Sequence, residues 1–163
     1  IGCGVGRVSR FVAGHCQHLT CSDILEQALD GCRQALAAHS NVDYVRTSGR
    51  DLQGFADASV DVVYSFTTFF HFDFELVVQY FAEIRRVLRS GGRSILEFKR
   101  WNGSDDVVQL LQKIQHCGGL SQYAAAVDKW RYVSRDTLAL LCRYYGFVVL
   151  NDDTTRFTMA IPE

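Results

Sequence analysis

The chain has 163 residues, 48% of them hydrophobic, which suits a single core and one domain. A net charge of −1 argues against a nucleic-acid partner, and no run of 18 apolar residues is present to span a membrane. The six cysteines form no C-x-x-C pair and read as small buried hydrophobes of a reduced, cytoplasmic protein, so no metal site is expected.

Ile1-Gly2-Cys3-Gly4-Val5-Gly6-Arg7 is a G-x-G-x-G turn. Glycines at this spacing let a ligand press against main chain. Val8, Phe11 and Val12 then mark one helix face, with Gly14 as its stop, and the N-terminus of that helix suits an anionic group. A dinucleotide fingerprint would need its third glycine where Arg7 stands, which disfavours a nucleotide-dependent oxidoreductase. Asp23 follows the strand-like run Leu19 to Ser22, at the distance where a carboxylate accepts from ribose hydroxyls. Such a turn hangs from a preceding strand, and only Ile1 is there to supply it. The chain is therefore expected to be N-terminally incomplete, and unstable as it stands.

Residues 24–39 carry helical spacing through Leu25, Ala28, Leu29, Cys32, Ala35 and Leu36. Residues 42–45 alternate as a strand, 48–51 form a turn, and 60–66 read as a buried parallel strand. Asp73 is placed to cap a helix whose face is Leu76, Val77, Tyr80, Phe81, Ile84, Val87 and Leu88, stopped by Gly91-Gly92. A strand over 94–98, a helix over 105–117 and a helix from Ser134 to Gly146 follow. Strands over 147–150 and 157–161 close the chain as an antiparallel hairpin across 151–155. The long connection 118–133, with Tyr123, Trp130, Arg131 and Tyr132, is either a lid over a substrate or a short helix packed on the sheet edge. Arg85-Arg86 reads as a solvated face, and the phenylalanines around His71 as core. Alternating strands and helices give an α/β, Rossmann-like three-layer sandwich. Its sheet is mostly parallel, with an antiparallel last strand and the first, central strand largely missing. Ligands bind such sheets beyond the strands' carboxyl ends, where Gly4, Asp23, Ser48-Gly49 and Ser65-Phe66 fall.

IGCGVGR (1–7), SDI (22–24), SGRDL (48–52), VDVVYSF with Phe70-His71 (60–71) and IRRVLRSGGRSILEF (84–98) together resemble the class I S-adenosylmethionine-dependent methyltransferases, near their "type 11" small-molecule group. The resemblance covers essentially the whole chain. It implies one S-adenosylmethionine-binding domain over 1–163 and methyl transfer to a small-molecule acceptor. By this likeness Gly2, Cys3, Gly4 and Gly6 lie against the methionine and adenosine, and Asp23 holds the ribose. Ile24 packs on adenine and Ser48-Gly49 meets its edge; Ser65 and Phe66, at a strand's carboxyl end, complete the expected cofactor-binding residues. Two family features are missing: an acidic residue upstream of Ile1, and an aspartate where Ser48 stands. His71 is the one candidate general base, weighed against a structural hydrogen-bonding role. A non-catalytic ligand-binding or partner subunit on the same fold is the alternative from another class.

Overall fold

The computed structural model describes residues 1–100, 104–125, 131–153 and 156–163. In chain order its elements are α1 (Ser9–Val12), β1 (Leu19–Asp23), α2 (Glu26–Ala35), β2 (Val42–Arg46), β3 (Val60–Ser65) and α3 (Phe74–Val87). There follow β4 (Leu88–Glu97), β5 (Lys99–Arg100), α4 (Ser104–His116), α5 (Leu120–Ala125), β6 (Tyr132–Val133), α6 (Arg135–Tyr145), β7 (Val148–Asp152) and β8 (Arg156–Ala160).

The main sheet comes in two halves. β1 and β2 pair in parallel, with Leu19 opposite Val42. The other half has the order β3-β4-β8-β7; β3 and β4 are parallel, and β8 is antiparallel to both its neighbours. Residues 1–3 lie between the halves and bond to each. Ile1 N donates to Tyr64 O at 2.9 Å, and Cys3 N donates to Ser22 O at 3.0 Å. The buried Ser65 hydroxyl adds a bond to Ile1 O at 2.8 Å.

Side chains alternate across a strand, and β3 shows which layer lies on which face. Val63 points into a core shared with α3 and α6, through Tyr80, Phe81, Ile84, Leu138 and Leu141. Tyr64, its neighbour, packs instead on the cluster of Ala13, Leu19, Cys21, Cys32 and Leu36. Helices thus cover both faces, which makes the three-layer Rossmann-like sandwich.

Local details depart from the sequence pattern in several places. The first helix is a single turn followed by a 3₁₀ turn at Ala13–His15, and it buries Ser9 and Ala13 while Phe11 stays 66% exposed. Phe11 lies instead under the Arg10 guanidinium. Asp73 stands at the N-cap of α3 without capping it; its carboxylate accepts from Arg131 Nε at 2.7 Å. Gly91-Gly92 does not end α3, which stops at Val87. The pair sits inside β4, where the register against β3 slips between Val60 and Val62. β3 itself is only partly buried, with Val62 51% exposed. The connection 118–133 contains α5 and β6, and β6 pairs in parallel with β5; Trp130 lies outside the described residues, as do Thr154 and Thr155 of the hairpin link.

Arg86 is not a solvated charge. Its five guanidinium N–H groups all have acceptors: Glu83 Oε1 and Oε2, Phe55 O, Asp57 Oδ1 and Leu52 O, at 2.7–3.0 Å. Glu83 also accepts from Leu52 N at 2.8 Å. This fork ties loop 52–57 to α3 and holds the Glu83 carboxyl below the ordinary range. Lysine has no matching fork. Arg86→Lys is therefore expected to cost about 2 kcal/mol in urea unfolding, on the scale of hydrogen bonds to charged groups. Because the Glu83 pKa is depressed, the pair's contribution is present above the unfolded glutamate pKa of about 4.3 and disappears as pH falls through the folded value. The wild-type advantage over Arg86→Lys should shrink accordingly in acid.

Candidate functional site

The carboxyl ends of β1 and β3 flank the glycine turn, and a pocket of about 210 Å³ opens there. Gly2, Cys3, Gly4 and Phe66 line it, together with Ile1, Val5, Arg7, Val8, Ser9, Tyr64 and Thr67. The turn is closed by Gly6 N donating to Cys3 O at 3.0 Å, and Arg10 N then donates to Gly6 O. Its glycines do different work. Gly4 has φ +52° and open space where a Cβ would stand, so its bare main chain is a cradle a ligand can enter. At Gly6 a Cβ would meet Leu36 and Cys32 at 2.8 and 3.0 Å, so this glycine lets the turn settle on α2.

Asp23, the last residue of β1, joins the turn directly. Oδ2 accepts from Gly4 N at 2.8 Å and Oδ1 from Leu25 N at 3.1 Å. A carboxylate offers about four lone-pair sites, so about two remain for a pair of hydroxyls. Ile24, 52% exposed, stands beside it, and Gly49 approaches so closely that a Cβ there would lie 2.7 Å from Ile24 Cγ2. Ser48 is exposed, and its hydroxyl already donates to Asp51 Oδ1 at 2.9 Å and accepts from Arg50 N at 3.0 Å. Ser65 does not line the pocket; it holds the turn from beneath through Ile1 O.

On the β3 side, Thr67 has φ +59°, a left-handed conformation that threonine rarely adopts. Its N–H donates to Glu97 Oε2 at 2.7 Å, which fixes the end of β3 to the end of β4. Strain held this way collects at ligand sites. Tyr64 and Ser9 share a hydrogen bond of 2.9 Å under the pocket, and burial pushes the Tyr64 phenol up to about 12. Sequence reasoning missed Arg7, Ser9, Tyr64 and Thr67 because none belongs to the glycine pattern. Only their position beside the turn and at the end of the β3 run marked them.

The aromatic run divides in two. Phe69 and Phe72 stack with Tyr80 and Phe98 in the core at centroid distances of 5.1–5.7 Å, while Phe66 alone among them faces the pocket. His71 closes the 3₁₀ turn Phe69–His71, is exposed, and lies outside the pocket lining.

Cys3 gives the pocket its main chain and turns its sulfur inward. The sulfurs of Cys3, Cys21 and Cys32 lie within 4.8 Å of one another. The Cys3 thiol donates to Gly4 O at 3.4 Å, and the neighbouring Cys21 sulfur and burial hold it above the ordinary thiol range. Cys21 is held below that range by the neighbouring Cys3 sulfur, although burial opposes the shift. A larger cavity of about 500 Å³, between Asp57, Arg86 and Glu163, lies at the amino ends of β3 and β4, away from the glycine turn and Asp23.

Sheet order, helices on both faces and a glycine-lined cleft at the strand ends define a cofactor-binding protein of the Rossmann-like class. A family model described as "Methyltransferase domain" matches residues 1–96, and the chain belongs to that family. The cofactor this family implies is S-adenosylmethionine. The Gly4 cradle and the spare acceptor sites of Asp23 fit its nucleoside and amino-acid ends.

Solved structures agree on the fold. Bacillus subtilis YcgJ superposes with TM-score 0.71 at 15% identity over 93% of this chain, which spans 62% of that protein. A SAM-dependent methyltransferase from Methanosarcina mazei gives 0.72 at 19%, over 99% of this chain and 91% of its own. Magnesium protoporphyrin IX methyltransferase from Synechocystis, solved with bound SAH, gives 0.70 at 16%, over 98% and 71%. No curated protein sequence matches the chain.

Replacing Asp23 tests the cleft. Asp23→Ala should weaken S-adenosylmethionine binding by about 2–3 kcal/mol in calorimetry, the scale for charge-assisted contacts. It should also lower stability by about 1–3 kcal/mol, because Gly4 N and Leu25 N lose their acceptor. Unchanged affinity in the folded variant would remove Asp23 from the site.

Proposed function

We propose that the protein transfers the methyl group of S-adenosylmethionine to a small-molecule acceptor bound beyond the carboxyl ends of β3 and β4. The observation that carries this reading is Gly4: a bare main-chain position, open to the pocket and hydrogen-bonded to the carboxylate of Asp23. The cofactor supplies an electrophilic methyl on a positively charged sulfur.

The chain's part is to bind, align and dry that group. Asp23 takes the ribose hydroxyls through its spare lone pairs, and Ile24 and Gly49 give the adenine an apolar seat. Gly2 to Gly4 hold the amino-acid end against main chain. Phe66 offers an aromatic face on the methyl side, where a ring attracts positive charge. Displacement at the methyl neutralises charge, so excluding water favours it, and alignment supplies much of the remaining acceleration. No nucleophile dyad is needed. On the acceptor side Thr67 lines the pocket, and His71 follows in the 3₁₀ turn after β3. His71 is the imidazole there that could take a proton from the acceptor. Work in a reducing cytoplasm fits the six thiols, all of them free. Among the described residues no helix is long and apolar enough to cross a membrane.

Transfer of labelled methyl from S-adenosylmethionine to a panel of small acceptors tests the proposal. Labelled product is expected; cofactor binding with no product from any acceptor class would favour a binding or partner subunit instead. Since His71 is exposed, His71→Ala should leave stability within about 0.5 kcal/mol and cofactor affinity unaltered. Turnover of an acceptor that must lose a proton should fall on the order of a hundredfold. Unchanged turnover would take His71 out of the chemistry.

A further inference from the structure

Cys3, Cys21 and Cys32 belong to three different elements: the glycine turn, β1 and α2. Nothing in their sequence spacing suggests a ligand set. The fold nevertheless brings their sulfurs within 4.8 Å of one another. Cys21 and Cys32 are 2% and 0% exposed, while Cys3 is half-buried beside the pocket.

We propose that these three cysteines form a binding site for one soft d¹⁰ cation, Zn²⁺ or Cu⁺. Thiolates select these ions over hard cations, and the cluster offers no carboxylate or imidazole. The dimensions fit. In an equilateral triangle of 4.8 Å each sulfur lies about 2.8 Å from the centre, against a metal–thiolate bond of about 2.3 Å. Each sulfur therefore moves inward by at most about 0.5 Å, within the reach of a side-chain torsion. Binding is a ligand exchange without redox change. Each thiol releases its proton as its sulfur–metal bond forms, three protons for one cation.

The location gives the site a consequence. Cys3 N already donates to Ser22 O, and the main chain at Gly2–Gly4 lines the pocket. A cation bridging Cys3 to β1 and α2 fastens the glycine turn from behind. The site itself does not depend on the methyl-transfer reading, and its test uses neither cofactor nor activity.

Reduced protein is loaded without oxygen, in one arm with Zn²⁺ alone and in the other with Cu⁺ kept in acetonitrile. After desalting, the metal is counted and its X-ray absorption recorded. About one equivalent should be retained in at least one arm, with three sulfurs at about 2.3 Å, and the better-retained ion identifies the natural occupant. Cys3→Ser, the least buried replacement, should cut retention about tenfold or more, while the exposed Cys117→Ser leaves it unchanged. The absorption shell of the unaltered protein keeps the test valid if a variant fails to fold. No retained metal in either arm, a nitrogen or oxygen shell, or full retention in Cys3→Ser would overturn the proposal and leave the three thiols as packing.

Discussion

Two backbone hydrogen bonds join the halves of the main sheet: Ile1 N to Tyr64 O on one side, and Cys3 N to Ser22 O on the other. Between them the chain must turn sharply, since Gly6 N has to reach back to Cys3 O and the next helix must start at once. That requirement makes the residues between the strand ends glycines, and it leaves main chain rather than side chain facing the cleft. The layers depend on the same junction. Val63 and Tyr64, adjacent on β3, point into the two cores on opposite faces; Ile1 bonds the main chain of Tyr64 and packs against the Val63 core.

The cleft is consequently made of backbone with a few side chains that brace it. Asp23 does both tasks, holding Gly4 N while keeping acceptor capacity in reserve. Ser65 and the Ser9–Tyr64 pair support the turn from below, and Glu97 holds Thr67 in a conformation it would not adopt alone. A site built this way places little demand on residue identity.

Much of the fold was legible in the sequence, because it rests on periodicity. The face Val77, Tyr80, Phe81, Ile84 and Val87 is buried as its spacing requires, and Ser134 and Gly146 cap α6 at both ends. The nearness of the glycine turn to Asp23 was legible from their spacing, and the Asp23 carboxylate does accept from Gly4 N. What escaped depends on tertiary partners. Gly91-Gly92 carries the signature of a helix stop, and only pairing with β3 reveals an irregular strand. Asp73 is a good cap by composition, but Arg131, 58 residues away, takes its carboxylate. Arg86 reads as solvated until loop 52–57 folds over it. The cysteine cluster was hidden for the same reason: no linear spacing announces three sulfurs that meet only when turn, strand and helix are assembled.

The central claim is that the cofactor lies along the glycine turn between Asp23 and Phe66. A crystal structure of the protein with S-adenosylhomocysteine tests it most directly. The account predicts ribose hydroxyls within hydrogen-bond distance of the Asp23 carboxylate, and the amino-acid end against Gly2–Gly4 beside Phe66. Density for the ligand in the cavity between Asp57, Arg86 and Glu163, at the opposite end of the strands, would contradict it.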